Sequence, residues 1–298
     1  MFAIALEQKQ YKTYCLSDLA AQSRLEVVPE RGGMITRWQV KGKELLYLDA
    51  ERFANPNLTV RGGIPILFPI CGNLPDDAYR YNGRRYSLKQ HGFARDLPWT
   101  VSDQVARDHA AITLTLSSNG ETRSVYPFDF ELEFTYKLKG NELIIFQRFT
   151  NLSGTMEGLP AQVMPFSAGL HPYFFVADKN HLHFEIPAMQ YRDQMTQKLH
   201  DFTGRFDPSL DEIDGIFGPL TGLAAIATDT SRHLRIALSY SSAYSNLVFW
   251  MLKGKNYYCL EPWTAPRNAL NTGHLLTYLK PGASCEMLVH LSATFFGK

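Results

Sequence analysis

The sequence predicts an all-β protein built from packed antiparallel sheets. Through much of the chain, apolar residues recur at every second position, which is the period of a strand with one buried face. Short polar turns separate these runs, as in β-hairpins. No stretch of the sequence has the length and the 3.6-residue pattern of a long amphipathic helix. Many short strands joined by turns favour a sandwich over a barrel closed by helices or a parallel α/β sheet.

The clearest strand is predicted over Phe130–Lys139, where the sequence FELEFTYKLK alternates apolar residues with charged or hydroxyl residues. This alternation indicates a half-buried antiparallel strand. Hairpin turns are predicted at Asn82-Gly83 and at Gly140-Asn141, because these dipeptides are typical of tight turns between paired strands. The same alternation appears in two shorter runs, Ile112, Leu114 and Leu116, and Leu182, Phe184 and Ile186.

The composition is that of a globular protein with a large core. The 298 residues are 45% hydrophobic and 13% aromatic, which is enough for one large all-β domain. No Gly/Ser-rich or Pro-rich linker divides the sequence, and it contains no fixed-period repeat or low-complexity segment. We therefore predict a single domain over residues 1–298.

Charge and cysteine usage exclude several classes of protein. The 30 basic and 29 acidic residues give a formal charge of +1, so no overall field attracts nucleic acid or anionic lipid. The N-terminal sequence lacks a signal-peptide pattern and no eighteen apolar residues follow one another, which predicts a cytoplasmic protein. The dispersed cysteines predict reduced, packed thiols rather than disulfides or a zinc site. They are Cys15, Cys71, Cys259 and Cys285.

Two loop-like segments combine glycine, arginine and histidine. They are RGGIPILFPICG at residues 61–72 and QHGFARDLPW at residues 90–99. Glycine allows the backbone to approach a ligand closely, while arginine and histidine offer hydrogen bonds to hydroxyl or anionic groups. The two segments predict a site for a polar, hydroxyl-rich or anionic small molecule such as a sugar.

His91, His171 and Glu261 form the best candidate set for proton transfer. His171 precedes a proline, which favours an extended backbone, and Glu261 ends an aromatic-rich run whose alternation places it on the same face as Cys259. A carboxyl group partly desolvated there would have its pKa raised toward the range of a general base. In the alternative, Glu261 is a rim carboxylate that pairs with a nearby cation, either Arg267 or Lys280.

A metal site is weakly indicated at His181, His183 and Glu185, which share one face of a predicted strand. The opposite face carries the apolar residues, so the three side chains fit the solvated face of an ordinary strand better. The sequence also contains no G-x-S-x-G nucleophile motif and no Walker-type phosphate loop. No metal site is therefore predicted.

Five motifs, taken in order, resemble those of the aldose 1-epimerase (mutarotase) superfamily. They are RGGIPILFPICG at 61–72, QHGFAR at 90–95, GLHPYF at 169–174, IDGIF at 213–217 and CLEPW at 259–263. The resemblance spans most of the chain and is nearest to the bacterial branches that contain epimerase-like proteins of lactose gene clusters and hexose-6-phosphate mutarotases. It implies a galactose mutarotase-like β-supersandwich, with the site in a groove on a large curved sheet and with no metal or organic cofactor.

The resemblance also implies roles for single residues. Glu261 would be the general base, His171 the general acid, and His91, Asp214 and Arg61 would contact the sugar. Interconversion of anomers requires removal of the proton from the C1 hydroxyl and delivery of a proton to the ring oxygen, which one base and one acid can perform. The residues around Asp214 by themselves, in the run DEIDG, favour a solvated loop instead.

Arg61 and Arg95 bear on the substrate. Two guanidinium groups beside small residues could bind a phosphate bidentately, but they could equally bind sugar hydroxyls or brace the loops. Acidic residues near Arg95 offer internal partners, namely Asp76, Asp77 and Asp96. Cys71 and Pro172 also depart from the pattern of the phosphosugar branch. We therefore place a free aldose ahead of a phosphorylated one.

Two other functions remain open on this fold. One is a carbohydrate-binding or regulatory protein without useful catalysis. The other is a glycoside-active enzyme, which needs two carboxylates beside the glycosidic bond, with Asp214 as the evident partner of Glu261. In each case the expected ligand is a small-molecule sugar or sugar phosphate, and the chain is expected to be a monomer or a weak homodimer.

Overall fold

The structure is a computed structural model that describes residues 1–154 and 161–297. Within these residues the chain consists mainly of β-strands joined by turns and short helices. The helices are α1 (Ala50–Ala54), α2 (Gly120–Val125) and α3 (Ala269–Thr272), and single 3₁₀ turns cover Pro75–Asp77 and Lys179–His181. The short helices agree with the period-two pattern of the sequence.

The strands range in length from two to twelve residues. The first twelve are β1 (Phe2–Gln8), β2 (Lys12–Asp18), β3 (Ser23–Val28), β4 (Met34–Val40), β5 (Lys43–Glu44), β6 (Ile66–Leu67), β7 (Ala78–Tyr81), β8 (Arg84–Ser87), β9 (Thr100–Ala106), β10 (Ala110–Ser117), β11 (Phe130–Lys139) and β12 (Glu142–Asn151). The remaining strands are β13 (Met164–Phe166), β14 (Gly169–Leu170), β15 (Tyr173–Phe175), β16 (Leu182–Glu185), β17 (Gln190–Asp193), β18 (Leu199–Asp201), β19 (Glu212–Phe217), β20 (Ala224–Asp229), β21 (Leu234–Tyr240), β22 (Asn246–Leu252), β23 (Tyr257–Trp263), β24 (Thr277–Leu279) and β25 (Ser284–Phe295).

Two eight-stranded sheets dominate the architecture. One has the strand order β16-β20-β21-β25-β12-β11-β10-β9, and the other has the order β18-β17-β19-β22-β23-β14-β6, with β15 also paired to β23. A five-stranded sheet, β1 to β5, and the two-stranded pairs β13-β24 and β7-β8 complete the described sheets. The ladders between these strands are antiparallel, which confirms the predicted all-β antiparallel fold class.

The strand predicted from FELEFTYKLK is confirmed as β11, in which buried and partly exposed residues alternate along the whole element. Its partner β12 follows after Gly140-Asn141, so the predicted hairpin is present. The second predicted hairpin joins β7 and β8, and its turn residues Asn82 and Gly83 have φ angles of 48° and 77°. Positive φ at both positions matches the twist of paired strands.

The apolar core fixes one of the two glycine-rich segments. Phe68, in the segment 61–72, packs its ring at 5.1 Å from Phe130 of β11, 5.9 Å from Phe149 of β12 and 5.5 Å from Phe166 of β13. Aromatic pairs at these distances add specific contacts to the area that they bury. The loop that begins at Arg61 is therefore anchored between the sheets.

The three residues of the weakly indicated metal site, His181, His183 and Glu185, lie at or near β16 on its solvated side, as expected. His181 precedes the strand in a 3₁₀ turn, so it does not share a strand face with His183 as the alternation predicted. The His183 ring accepts a hydrogen bond from the Arg205 Nε, 3.2 Å away, and Glu185 pairs with Arg235 at 3.1 Å. These two residues thus have ordinary surface partners.

The four cysteines are free thiols, and three of them are buried, as the sequence predicted. Among residues 1–154 and 161–297, every helix falls short of the length and apolar content needed to cross a membrane.

Candidate active site

Strand register brings His171 and Glu261 together. Gly169 of β14 lies opposite Trp263 of β23, and Tyr173 of β15 lies opposite Cys259. His171, midway between Gly169 and Tyr173, therefore faces Glu261, which is midway between Trp263 and Cys259. The His171 Nε2 is 3.4 Å from the Glu261 Oε1. Only 6% of His171 and 1% of Glu261 are exposed, so water does not screen their interaction strongly.

Glu261 is held as a buried carboxyl group rather than a rim carboxylate. Its Oε2 accepts a hydrogen bond of 3.1 Å from the Trp263 indole N–H. Burial raises its pKa well above the ordinary value of 4.5, and the nearby carboxylate of Asp214 raises it further. The alternative partner Arg267 pairs with Asp214 instead. Glu261 is therefore placed as a proton-transfer group would be.

His171 is fixed by its backbone and by an aromatic neighbour. Its backbone N–H donates a hydrogen bond of 3.0 Å to the Pro65 carbonyl. Its ring stacks on the Tyr173 ring, with the centroids 4.7 Å apart. Burial lowers the pKa of His171 well below 6.5, and the positive charges of Arg95 and Arg61 lower it further. Together with the raised pKa of Glu261, this shift favours a pair that carries one proton and no net charge.

His91 has a defined hydrogen-bonding role because of its turn. With φ at 67°, its backbone N–H donates to the Gly72 carbonyl at 2.7 Å, while the Gly72 N–H donates to the His91 Nδ1 at 3.0 Å. Burial, followed by the charge of Arg95, lowers the pKa of His91 well below 6.5. In the neutral ring Nδ1 is thus the acceptor, and Nε2 carries a hydrogen that it can donate to a ligand.

Asp214 lies on β19 with only 6% of its surface exposed, so the prediction of a solvated loop, drawn from the residues around it, is wrong. Its Oδ1 accepts a hydrogen bond of 2.6 Å from the Gln194 Nε2, and its Oδ2 accepts one of 2.6 Å from the Arg267 Nη2. The Arg267 Nε also donates to the Gln194 Oε1 at 2.6 Å. The three side chains form a closed network at the edge of the site.

Arg61 and Arg95 both face the cavity. The Arg61 guanidinium lies 4.9 Å over the Trp250 ring, and the Arg95 Nη2 donates to the Gln90 carbonyl at 2.9 Å. The buried Arg95 Nε has no hydrogen-bond partner among the described residues. Among the described residues neither arginine forms a salt bridge, so the aspartates that the sequence offered as internal partners of Arg95 do not pair with it. The aspartates in question are Asp76, Asp77 and Asp96.

All six candidate residues surround one cavity of about 740 Å³. This volume is in the range of small-molecule sites. The residues that the structure brings together there are Arg61, His91, Arg95, His171, Asp214 and Glu261. Their positions in the sequence span two hundred residues, so the antiparallel register of the sheet, rather than any local segment, assembles the cavity.

Nothing in the sequence indicated that Gln194 belongs to the site, and the sequence suggested Arg267 only as a candidate partner of Glu261. Aromatic walls from Tyr173, Trp250 and Trp263 were also missed as site residues. Of these, Trp263 could have been predicted, because the alternation along β23 places it on the face that carries Glu261. The contact between Gln194 and Arg267 has no local signal, because it depends on how two distant loops meet.

Comparison with known proteins identifies the family. The family model described as Aldose 1-epimerase matches residues 19–292. Protein LacX, chromosomal, from Lactococcus lactis subsp. lactis is 25% identical over 276 residues, which cover 82% of this chain and 86% of that protein. A Cenchrus ciliaris protein named "Putative glucose-6-phosphate 1-epimerase" is 28% identical over 197 residues, which cover 62% of this chain and 55% of that protein.

Two solved structures have the same fold. The Slr1438 protein from Synechocystis sp. PCC 6803 is 45% identical, with a TM-score of 0.92 over 99% of this chain and 100% of that one. A galactose mutarotase-like protein from Clostridium acetobutylicum is 21% identical, with a TM-score of 0.81 over 99% of each chain. The fold is therefore the galactose mutarotase-like β-supersandwich that the sequence resemblance implied. Because the family model covers all but the ends of the sequence, the chain belongs to the aldose 1-epimerase family.

Proposed function

We propose that this protein is a mutarotase that interconverts the α and β anomers of a hexose by acid-base ring opening. The observation that carries the proposal is the His171–Glu261 pair, whose Nε2 and Oε1 atoms are 3.4 Å apart at the wall of a polar cavity. The family supports an epimerase-type activity. The roles of the residues and the identity of the sugar are our inference.

In the proposed reaction, the Glu261 carboxylate removes the proton of the C1 hydroxyl while protonated His171 delivers one to the ring oxygen. The bond between C1 and the ring oxygen breaks, the aldehyde rotates, and closure on its other face reverses both transfers. The pKa shifts favour the shared proton on Glu261 in the free protein. A sugar hydroxyl that donates to Glu261 stabilises the carboxylate and so moves that proton to His171.

The remaining residues hold the sugar in line for these transfers. The His91 Nε2–H donates to a ring or hydroxyl oxygen, and Asp214, fixed by Arg267 and Gln194, accepts from sugar hydroxyls. Each positioned proton transfer typically contributes about 10²- to 10⁴-fold, so binding that aligns the reacting oxygens must contribute as well.

The sequence pattern favoured a free aldose as the substrate, but the two arginines support a phosphorylated hexose. Within the described residues Arg61 and Arg95 lack a carboxylate partner, and their charges lower the pKa of His171. An anionic substrate would neutralise this positive field through charge-assisted hydrogen bonds. The name of the Cenchrus ciliaris relative points in the same direction.

The proposal is tested by measuring anomer exchange of glucose and of glucose 6-phosphate, each against buffer alone. A rate above buffer for either sugar is expected, while sugar binding without any added rate would favour a carbohydrate-binding protein instead. Arg95→Gln distinguishes the substrates, because loss of a charge-assisted bond of about 1.5–3 kcal/mol lowers kcat/KM by about 10- to 150-fold. If Arg95 binds phosphate, only glucose 6-phosphate loses this much. Arg148→Gln is the matched control, since Arg148 pairs with Glu286 on the surface.

A further inference from the structure

Cys259 lies beside the proton-transfer pair, and the proposed reaction does not use its buried thiol. It lies two residues before Glu261 on the same face of β23, and its neighbours across the sheet are Tyr173 and Trp250. One ligand atom each from His171, Cys259 and Glu261 lies within 4.8 Å of the other two, and all three residues are buried. A buried nitrogen, sulfur and oxygen donor thus converge on one point.

A second feature of the same cluster is an unsatisfied polar atom. The His171 Nδ1 is buried and has no hydrogen-bond partner among the described residues. Most buried polar side-chain atoms have a partner, so each exception calls for an explanation. An imidazole nitrogen, a thiolate and a carboxylate are also the donor set that Zn²⁺ prefers, with a fourth position left for water.

We propose that His171, Cys259 and Glu261 form an inhibitory binding site for a thiophilic divalent cation, of which Zn²⁺ is the model. The inhibitory part rests on the proposed function, because an ion bound to the Glu261 carboxylate would occupy the lone pair with which that group takes the C1 proton. Arg61 and Arg95 add positive charge nearby. Only an ion that binds thiolate strongly overcomes this repulsion, so Mg²⁺ and Ca²⁺, which take oxygen ligands, are excluded.

Ion binding must release protons from this cluster. The Cys259 thiol loses its proton as the metal–sulfur bond forms, and Glu261 loses one when it starts as the neutral carboxyl group. Up to two protons per ion therefore pass to the buffer. The affinity for the ion consequently increases with pH.

A second three-donor cluster in the described residues provides a matched contrast. Glu7, Cys15 and Glu26 also lie within 4.8 Å of one another, but cations already occupy them. Lys9 Nζ is 2.9 Å and Arg24 Nη2 is 3.0 Å from the Glu26 carboxylate, and the same Arg24 nitrogen donates to the Cys15 Sγ at 3.1 Å. This cluster has no imidazole and no free carboxylate, so we expect it to bind no metal.

The test is titration of the intact protein with Co²⁺, whose bond to a thiolate gives a charge-transfer absorption band. One equivalent should produce the band in wild type and in Cys15→Ser, and Zn²⁺ should remove it by displacement. In Cys259→Ser the band should be absent, and the Kd for Zn²⁺ should rise by at least about 100-fold, the upper end of the loss seen for outer-shell partners. A band that persists in Cys259→Ser, or is missing in wild type, overturns the proposal.

Two further measurements separate this site from the proposed reaction. Zn²⁺ should inhibit anomer exchange in wild type and Cys15→Ser, with recovery on adding EDTA. At the concentration that halves the wild-type rate, Zn²⁺ should leave Cys259→Ser uninhibited. A Co²⁺ band in a protein without mutarotase activity would keep the metal site and reject the proposed function. Zn X-ray absorption on wild type needs no variant to fold, and a coordination shell without sulfur would contradict the assignment of Cys259.

Discussion

His171 and Glu261 are each costly to bury, and their environment determines which proton states they can reach. Burial disfavours the imidazolium and the carboxylate alike, so the pKa of His171 falls and the pKa of Glu261 rises. Because the two groups interact at 3.4 Å, they titrate as a pair. The one-proton form of the pair, which the proposed reaction needs, is thereby favoured across the neutral range.

The pH dependence of kcat/KM should reflect this pair. We expect the acid limb below pH 6.5, the ordinary value for histidine, because burial and then Arg95 lower the pKa of His171. Arg95→Gln removes a positive charge, so the limb should move to higher pH. Measuring the profile with an unphosphorylated hexose avoids titration of the substrate. A limb that stays in place in Arg95→Gln, or that moves equally in Arg148→Gln, would contradict this origin of the shift.

Trp263 acts on Glu261 through its indole N–H, which donates 3.1 Å to the carboxylate and lowers its pKa. Trp263→Phe keeps an aromatic ring but removes the donor. Loss of a hydrogen bond to a charged group costs about 1.5–3 kcal/mol, so kcat/KM should fall about 10- to 150-fold and the alkaline limb should move to higher pH. The control is Trp99→Phe, because the Trp99 indole N–H donates to the Ala94 carbonyl and neither residue lines the cavity. An unmoved alkaline limb in Trp263→Phe would show a merely structural role.

At the scale of elements, long strands were predictable and short ones were not. β11 and its hairpin to β12 follow from ten residues of local alternation and a two-residue turn. β6, β14 and β15 have only two or three residues each, too few to show a period, and they form because neighbouring strands are already in place. His171 lies between β14 and β15, so its position was predictable from a motif but not from a period.

The turn that holds His91 depends on the glycine that follows it. Gly92 has φ of 71°, and a Cβ there would lie 2.1 Å from the Phe68 carbonyl oxygen. Gly83 has φ of 77° with open space around it. We expect Gly83→Ala to cost about 1–2 kcal/mol for the left-handed backbone alone. Gly92→Ala should cost about 1–3 kcal/mol more, as overpacked interiors do, and should also reduce kcat/KM.

Urea unfolding of the two glycine variants and kinetics on both measure this difference. Equal losses of stability would mean that the backbone at Gly92 moves freely away from Phe68. Full activity in Gly92→Ala would mean that the position of His91 does not depend on this turn.

At the scale of the whole molecule, the burial of Glu261 makes the stability of the fold depend on pH. Glu261 has a raised pKa in the folded state and an ordinary value of 4.5 when unfolded. The folded protein thus binds the proton more tightly, and stability falls as pH rises from about 4.5 through the raised value. Glu261→Gln removes this titration while its amide oxygen can still accept from Trp263. Its free energy of unfolding should therefore exceed that of wild type by more at pH 8 than at pH 5.

Denaturation in urea at the two pH values measures this effect. A difference between the variant and wild type that is independent of pH would show that Glu261 is not ionised at a cost in the folded protein. The comparison also establishes that the variant is folded, which the activity measurement requires.

The central claim is that Glu261 and His171 catalyse anomer exchange by proton transfer. The most direct test is the rate at which Glu261→Gln exchanges the anomers of whichever hexose or hexose phosphate the wild type converts fastest. The account predicts that kcat falls by about 10²- to 10⁴-fold while the affinity for the sugar changes only a few-fold. A folded Glu261→Gln that exchanges anomers at the wild-type rate would contradict it.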